Sequence, residues 1–353
     1  LAGNVVYAKT LDLLFKGERE LCFLPLAHAY SCAFNFLVPM AVGAHVFLLG
    51  KVPSPKILLR AFEEVKPNLI LTVPLILEKI YKKMILPQLS KRSMRLALNI
   101  PLLDSRIYAR IREKLTDALG GRFREVIVGG AAMNQEVADF LYKIKFRYTI
   151  GYGMTECGPL ISYDHHYDYV PGSCGQVLKG IMEARIDSDN PREKVGEIQV
   201  RGENVMKGYY KNEEATQAVF TADGWLKTGD LGTLDENNRL YIRGRSKTMI
   251  LGPSGQNIYP EEIESKLNNL PFVLESLIVE KDGKLVGLVY PDYDTVDGAG
   301  LSHDDLPVIM EKNRVELNKL LAPYEAVGSI QLYPTEFEKT PKKSIKRYLY
   351  SNY

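Results

Sequence analysis

Short apolar runs alternate with segments of helical period through the first half of the chain. Runs at residues 21–24, 44–49, 69–73 and 122–128 have the length of buried strands, and proline or glycine follows each of them. Between the runs, apolar residues recur with helical spacing at residues 31–41, 56–65, 75–84 and 134–146. Strands and helices of these lengths in alternation predict parallel βαβ units.

The pattern changes after Pro171. Short strands at residues 197–201 and 240–243 lie among glycine, asparagine and aspartate residues, and residues 235–238 predict a hairpin turn. Further on, a helix begins at Pro260 with two acids in its first turn, and a second helix covers residues 308–320. A hairpin joins residues 274–279 to residues 285–290.

These elements predict an α/β fold, mixed α+β overall, in three parts. Residues 1–168 form the βαβ, parallel-sheet part of a large domain, and residues 169–246 form its small β-rich subdomain. Residues 247–353 form a small, mobile C-terminal α+β domain. With 353 residues, 46% of them hydrophobic and 25% charged, the chain has an ordinary globular composition.

The formal net charge of +2 provides no broad field for nucleic acid. The basic segment at residues 79–112 matches no known nucleic-acid module, so we expect no nucleic-acid partner. We interpret this segment as a solvated helix face. The alternative is attraction to an anionic partner, either a membrane surface or the phosphates of a cofactor.

The four cysteines form no Cys-x-x-Cys pair, and we expect them to be buried free thiols in a reducing compartment. The adjacent pair His165-His166 converges poorly on one ion, so we expect no metal there. No signal peptide pattern follows Leu1. We expect a cytoplasmic protein, with peripheral contact at the inner membrane face as the alternative; the oligomeric state stays open.

Three short motifs carry the candidate chemistry, in a fixed order along the chain. The first is Tyr152-Gly153-Met154-Thr155-Glu156, the second Thr228-Gly229-Asp230 and the third Gly244-Arg245-Ser246-Lys247. Tyr152 offers an aromatic face for a base, Thr155 a hydroxyl for a phosphate, and Glu156 a carboxylate for a magnesium ion. Asp230 can bind two ribose hydroxyls, and Arg245 can reach the same sugar.

This ordered set, followed by a lysine-rich tail, resembles the adenylate-forming superfamily of acyl-CoA synthetases, luciferases and peptide-synthetase adenylation domains. The resemblance implies ATP and AMP binding, Mg²⁺ at Glu156 and coenzyme A as a substrate. A carboxylic acid becomes an acyl-adenylate with release of pyrophosphate, and the CoA thiol then displaces AMP. Lys247 matches the hinge between the family's large and small domains, which implies one state for each step.

Further site residues follow from the same resemblance. Gly129-Gly130-Ala131 matches the segment opposite Tyr152 in the adenine pocket, where small residues let backbone approach a planar base. The resemblance also implies that Gly153 is one of the nucleotide-binding residues. His28 matches a position that borders the acyl carboxylate, although a lone histidine in an apolar stretch is usually a satisfied core residue. Gly255 falls where the family keeps a glycine beside the pantetheine tunnel.

The chain departs from the family pattern in two places. The family's Ser/Thr/Gly-rich phosphate loop does not occur in this sequence, so we expect the chain to be part of a longer protein and inactive by itself. In the tail, aligned on Thr340, Ile345 and Arg347, the catalytic lysine position holds Ser344. Lys343, one residue earlier, is our candidate for that role; the alternative is a solvated basic tail with impaired adenylation.

The tail and Tyr209-Tyr210 look most like long-chain fatty acid–CoA ligases, so the expected partners are a fatty acid, ATP and CoA. Two alternatives stay open. One is ligation of an acyl or aryl acid to the phosphopantetheine of a carrier protein. The other is a nucleotide- or acyl-binding protein without catalysis, which the serine at position 344 would favour.

Overall fold

The computed structural model describes residues 1–50, 53–89, 91–101, 103–131, 133–252, 255–340 and 345–350. Its chain divides into two compact units. The first unit consists of residues 1–228 and 233–242, and the second of residues 229–232 and 243–353. The domain boundaries expected at residues 168 and 246 stay predictions.

Helices and parallel strands alternate in the first part of the first unit, as the sequence predicts. The helices are α1 (Ala2–Thr10), α2 (Ala29–Ser31), α3 (Val38–Val42), α4 (Pro55–Val65), α5 (Pro74–Ile80), α6 (Leu86–Leu89), α7 (Arg92–Leu98), α8 (Leu103–Ala118) and α9 (Gln135–Lys143). The strands are β1 (Arg19–Cys22), β2 (His45–Leu48), β3 (Ile70–Thr72), β4 (Val126–Val128) and β5 (Tyr148–Ile150).

The pairing of these strands confirms the predicted parallel βαβ arrangement. Strand β1 pairs with β2, and β4 lies between β3 and β5, with all three pairings parallel. A parallel bridge between Glu20 and Leu69 links β1 to β3. Strands β3 and β4 are buried at every position, which explains why all but one of their residues are apolar.

Two predicted helices contain a wider π-helical segment, at Cys32–Leu37 and Tyr81–Ile85. Each segment ends two residues before a proline, Pro39 in one case and Pro87 in the other. A proline inside a helix removes one backbone donor and its ring clashes with the carbonyl four residues earlier. The wider turn before each proline accommodates that carbonyl, so both helices continue instead of ending.

Antiparallel strands follow, and they confirm the β-rich pattern after Pro171. Strands β6 (Tyr152–Gly153), β7 (Leu160–Tyr163) and β8 (Gln176–Val177) form one sheet. A second sheet has the order β12-β11-β10-β9 and consists of β9 (Met182–Asp187), β10 (Gly196–Gly202), β11 (Leu226–Leu234) and β12 (Leu240–Arg245). Helix α10 (Glu213–Val219) precedes β11. In the predicted turn, Asp235 Oδ1 accepts from the backbone N–H groups of Asn237 and Arg239.

The second unit has the predicted α+β composition. Its elements are β13 (Ile250–Leu251), β14 (Asn257–Ile258), α11 (Pro260–Leu267), β15 (Val273–Lys281), β16 (Lys284–Pro291), α12 (Tyr293–Gly298), α13 (Leu306–Asn318) and β17 (Val327–Leu332). Strands β15 and β16 form the predicted hairpin, and β17 pairs with β16 in parallel. The tail is held by Arg347, which forms an ion pair with the buried Glu264 of α11.

Every helix in the described part of the chain is too short or too polar to cross a membrane. Cys22 and Cys157 are buried free thiols, and Cys32 and Cys174 are half-buried free thiols.

Candidate active site

The carboxyl ends of the parallel strands bring several of the predicted site residues to one edge of the sheet. Gly129 follows β4, and its N–H donates to Thr72 O at the end of β3, at 3.1 Å. Gly151 follows β5, and its N–H donates to Val128 O at 2.9 Å. The glycine turn and the Tyr152 motif therefore leave adjacent strands at the same edge, which is where open α/β sheets bind ligands.

The glycine turn lies under the ring of Tyr30. A Cβ atom built on Gly129 would lie 3.2 Å from Tyr30 Cζ, and Gly130 has a left-handed φ of +88°. The Tyr30 hydroxyl donates to Ile127 O at 3.1 Å. His28 is half-buried and precedes α2, so the Tyr30 contact brings its segment against the glycine turn. Ala131 is exposed at the end of that turn.

Tyr152 and Gly153 have structural roles in the sheet that β6 forms with β7. The Tyr152 ring packs into the main apolar core and is only 8% exposed, so it does not present an open face here. A Cβ atom at Gly153 would lie 2.1 Å from Pro159 O, closer than any real contact. The backbone approach itself therefore demands glycine at this position.

Thr155 and Glu156 lie in a one-turn 3₁₀ helix, Thr155–Cys157, directly after β6. Thr155 is exposed and Glu156 is half-buried. Glu156 Oε1 accepts from the Tyr209 hydroxyl at 2.9 Å, and its backbone oxygen accepts from the Met206 N–H at 2.7 Å. Within the described residues, Glu156 Oε2 receives no hydrogen bond.

This geometry fits a magnesium ion that arrives with its nucleotide. Mg²⁺ typically binds one or two carboxylates together with substrate phosphates and water, rather than an all-protein cage. Among the described residues, no group of three or more histidine, cysteine, aspartate or glutamate side chains could hold a metal alone. The single oriented carboxylate of Glu156 has the matching donor chemistry.

The second unit brings Asp230 and Arg245 together, and their role at a sugar stays a prediction. Asp230 is 4% exposed, and Arg245 Nε lies 3.1 Å from its Oδ1, whereas the Arg245 side chain is 66% exposed. The Ser246 N–H donates to Gly229 O at 2.9 Å and fixes the chain just before Lys247. Lys247 is exposed in the turn that follows β12.

Gly255 is also in the second unit and has a left-handed φ of +82°. A Cβ atom there would meet no atom of the described residues within 4 Å, so the glycine preference in this conformation comes from the backbone rather than from crowding. The candidate Lys343 and the neighbouring Ser344 lie outside the described residues.

Two residues that contact the Thr155–Glu156 turn were missed as site residues by the sequence reasoning. Tyr209 was noted only as a family-like feature, yet it hydrogen-bonds Glu156. Asn4 is 1% exposed and bonds to the backbone just after the turn. The available signal was a lone asparagine within an otherwise apolar stretch at residues 2–8, since buried polar side chains need partners.

A buried carboxylate accounts for the adjacent histidines at positions 165 and 166. Glu125, 3% exposed, accepts from the Tyr163 hydroxyl at 2.6 Å, lies 3.2 Å from His165 Nδ1 and accepts from the His166 N–H at 3.0 Å. Burial opposes ionisation, but these hydrogen bonds lower the pKa of Glu125. The bond to Glu125 raises the pKa of His165, whereas burial lowers the pKa of His166.

We expect the pKa values of the two imidazoles to lie on opposite sides of the ordinary histidine value of about 6.5. The His165 contribution to stability should be complete below that value and lost as pH rises through its folded pKa. The His165→Gln variant should thus lose more stability at pH 6 than at pH 8, by less than about 1 kcal/mol. Urea unfolding at both pH values, with the exposed His45→Gln variant as control, tests this; equal losses at both pH values would contradict it.

Comparison with known proteins places the chain in a family. A family model for AMP-binding enzymes matches residues 2–210, more than half of the chain. The long-chain-fatty-acid–CoA ligase FadD15 of Mycobacterium bovis is 29% identical over 391 residues, covering 98% of this chain and 62% of that protein. The 4-coumarate–CoA ligase CCL1 of Humulus lupulus is 30% identical over 308 residues, covering 84% of this chain and 50% of that protein.

A solved structure shares the fold. It is the o-succinylbenzoate coenzyme A synthetase of Bacillus subtilis in complex with ATP and magnesium ion, with a TM-score of 0.72 at 23% identity, over 98% of this chain and 64% of that one. The chain thus spans half to just under two thirds of the length of these three proteins. Its sequence motifs, its parallel-sheet edge and the family match agree: the chain belongs to the AMP-binding enzyme family.

Proposed function

We propose that the protein of which this chain forms a part joins a long-chain fatty acid to coenzyme A in two ATP-dependent steps. A carboxylate oxygen first bonds to the α-phosphorus of ATP and pyrophosphate leaves. The CoA sulfur then bonds to the acyl carbon and AMP leaves. The observation that carries the proposal is the half-buried Glu156 carboxylate, oriented by Tyr209 through one oxygen, beside the carboxyl edge of the parallel sheet.

In the first step, negative charge spreads over the oxygens around the α-phosphorus, and fixed donors and cations stabilise it. The exposed Thr155 hydroxyl is suited to donate to a phosphate oxygen, and Glu156 would hold the magnesium ion. When bound, that ion supplies positive charge against the phosphates. His28 borders the acyl carboxylate in this scheme, and the glycine turn at residues 129–131 faces the adenine.

Asp230 and Arg245 bind the ribose in the proposed scheme. The two side chains already form a pair in the second unit, in which a buried carboxylate accepts from an exposed guanidinium. A carboxylate held in this way can accept from two adjacent hydroxyls, as in other nucleotide sites. Lys247, two residues after Arg245, is the proposed hinge between the conformations for the two steps.

The fatty acid is proposed because of the resemblance to FadD15, which extends over 98% of the chain. The relatives named for 4-coumarate and o-succinylbenzoate make an aryl acid the competing substrate. The test is CoA- and ATP-dependent thioester formation by the full protein with palmitate, decanoate, acetate and benzoate. Turnover greatest with palmitate supports the proposal. Turnover greatest with benzoate, or transfer to a carrier protein but not to free CoA, would contradict it.

Lys343 is proposed to approach the α-phosphate and the carboxylate during adenylation. The Lys343→Ala variant should slow adenylation by about tenfold or more, because a charged donor to the transition state is lost. Conversion of preformed acyl-adenylate to acyl-CoA should stay within about twofold, since that step does not use this charge. Lys342→Ala is the matched control. Unchanged adenylation in the Lys343→Ala variant would show that the assignment is wrong.

Gly255 is proposed to lie beside the thiol arm of CoA in the second step. The Gly255→Leu variant should slow thioester formation from acyl-adenylate by about tenfold and leave adenylation unchanged, because the side chain would obstruct the arm. Gly283→Leu is a matched control: Gly283 is in the same unit, has a φ of +71° and also has open space around it. Equal slowing by both variants would attribute the effect to backbone strain instead.

A further inference from the structure

Asn4 joins helix α1 to the backbone that follows the Thr155–Glu156 turn. Its Nδ2 donates to Cys157 O at 3.0 Å and to Gly158 O at 2.7 Å. Its Oδ1 accepts from the Leu160 N–H at 3.0 Å. The side chain is 1% exposed, so both amide donors and the acceptor oxygen are engaged away from water.

The bonds of Asn4 close a short loop between the turn and the core. Leu160 begins strand β7 and is buried, while Cys157 ends the 3₁₀ turn that carries Glu156. Within the loop, the Met154 N–H donates to Pro159 O at 2.9 Å and the Gly158 N–H to Thr155 O at 3.1 Å. The Asn4 amide spans both ends of the loop, so it links the position of the turn to that of the strand.

A second support reaches the turn from another segment. The Met206 N–H donates to Glu156 O at 2.7 Å, and the Tyr209 hydroxyl donates to the Glu156 carboxylate at 2.9 Å. These bonds orient Glu156 itself but do not touch residues 157–160. Among the described residues, Asn4 is the side chain that hydrogen-bonds the backbone of residues 157–160.

We propose that Asn4 is a positioning residue that sets the place of the Thr155–Glu156 turn and, through it, of the Glu156 carboxylate. Its effect on catalysis rests on the proposed function, whereas its effect on the turn does not. Without the amide, the buried Cys157 carbonyl, the half-buried Gly158 carbonyl and the buried Leu160 N–H lose their partners, and such groups relax toward other partners or water. A displacement of about 1 Å at a catalytic group can lower the rate about a hundredfold.

The experiment compares Asn4→Ala and Asn4→Asp with the wild-type full protein. Asn4→Asp keeps an acceptor for the Leu160 N–H but loses both donors to the carbonyl groups. The control is Asn313→Ala in the second unit, where a buried asparagine (3% exposed) donates to Pro271 O at 2.8 Å. Acid-dependent ATP–pyrophosphate exchange is measured against Mg²⁺ concentration, alone and in the Glu156→Gln background.

We expect both Asn4 variants to lower exchange by about tenfold to a hundredfold and to require more Mg²⁺ for half-maximal rate. In the Glu156→Gln background, Asn4→Ala should have much less effect, because both changes act on one carboxylate. Asn313→Ala should leave the Mg²⁺ dependence unchanged. An unchanged Mg²⁺ dependence, or the same fold loss in both backgrounds, would overturn the proposal.

Amide hydrogen exchange without nucleotide gives a readout that does not need the activity. The N–H groups of Gly158 and Met206 bond within the turn and its second support, not to Asn4. In Asn4→Ala they should exchange about tenfold faster or more, since the turn is no longer held. Unchanged protection would overturn the positioning role. If the wild type showed no acid-dependent ATP–pyrophosphate exchange, the proposed function would be contradicted instead. Amide hydrogen exchange would then still test whether Asn4 positions the turn.

Discussion

Replacing Glu156 by glutamine should lower magnesium-dependent adenylation about a hundredfold to a thousandfold, with little change in stability. Glutamine has the same shape, and its carbonyl oxygen can accept the Tyr209 hydroxyl bond that Glu156 Oε1 accepts at 2.9 Å. The loss of adenylation rate in this variant therefore measures the effect of the negative charge alone. Without that charge, the side chain at position 156 binds the magnesium ion more weakly. The phosphates that the ion holds are then oriented less well. Glu156→Ala should abolish the reaction, because it also removes the hydrogen bond.

The measurement for Glu156 is the initial rate of acid-dependent ATP–pyrophosphate exchange at several Mg²⁺ concentrations. The matched control is Glu236→Gln, which removes one carboxylate from an exposed turn in the same unit. A thermal unfolding midpoint within a few degrees of wild type shows that the variant is folded. Glu156→Gln with the rate and Mg²⁺ dependence of wild type would remove this residue from the site.

The Asp230→Ala variant should raise the KM for ATP about tenfold to a hundredfold and change kcat much less. Hydrogen bonds that involve a charged group contribute about 1.5–3 kcal/mol, and every 1.4 kcal/mol is a factor of ten in binding. The proposed ribose contacts are the same in ATP and in the transition state. Loss of such uniform binding raises KM and leaves kcat largely unchanged.

Asp230 also lies 3.1 Å from Arg245 and is 4% exposed, so its removal could disturb the local fold. Asp230→Asn keeps the shape and should give a smaller rise in KM of the same kind. Asp223→Ala removes an exposed carboxylate that pairs with Arg185 instead, and it should leave the KM for ATP unchanged. Replacing ATP by 2′-deoxy-ATP should lower kcat/KM less in the Asp230→Ala variant than in the wild type. Equal losses would place Asp230 away from the ribose.

The fold followed from the sequence where burial alone decides local structure. Strands β3 and β4 are buried at every residue, and short apolar runs of this kind are typical of a covered parallel sheet. The β15–β16 hairpin followed from two apolar runs around Asp282-Gly283, a pair that favours a tight turn. In each case the local pattern and the tertiary environment agree.

Other elements were not predicted because their local pattern is weak or depends on distant contacts. Helix α1 is largely apolar, with no acidic residue in its first turn and no side-chain cap, so no helix signal marks it. Helix α8 was read only as part of a basic segment, and its buried residue, Leu115, lies near its end. The two π-helical segments depend on how each helix accommodates a proline.

The residues of the candidate site also fall into a predicted group and an unpredicted group. Residues with side-chain chemistry, such as Glu156, Asp230 and Arg245, were predicted from motif order, and the last two do form a pair. Residues that position these groups could not be predicted, because their partners are far away in sequence. Asn4 bonds residues more than 150 positions away, and Tyr209 bonds Glu156 across 53 positions.

The most direct test of the account is ATP–pyrophosphate exchange with palmitate, without CoA, in the full protein that contains this chain. The 353-residue chain is measured alongside, with decanoate, acetate and benzoate as the other acids. The account predicts exchange that depends on both acid and Mg²⁺, is greatest with palmitate and falls about a hundredfold to a thousandfold in Glu156→Gln. ATP binding without exchange for any acid would contradict it and indicate a nucleotide-binding protein without ligase activity.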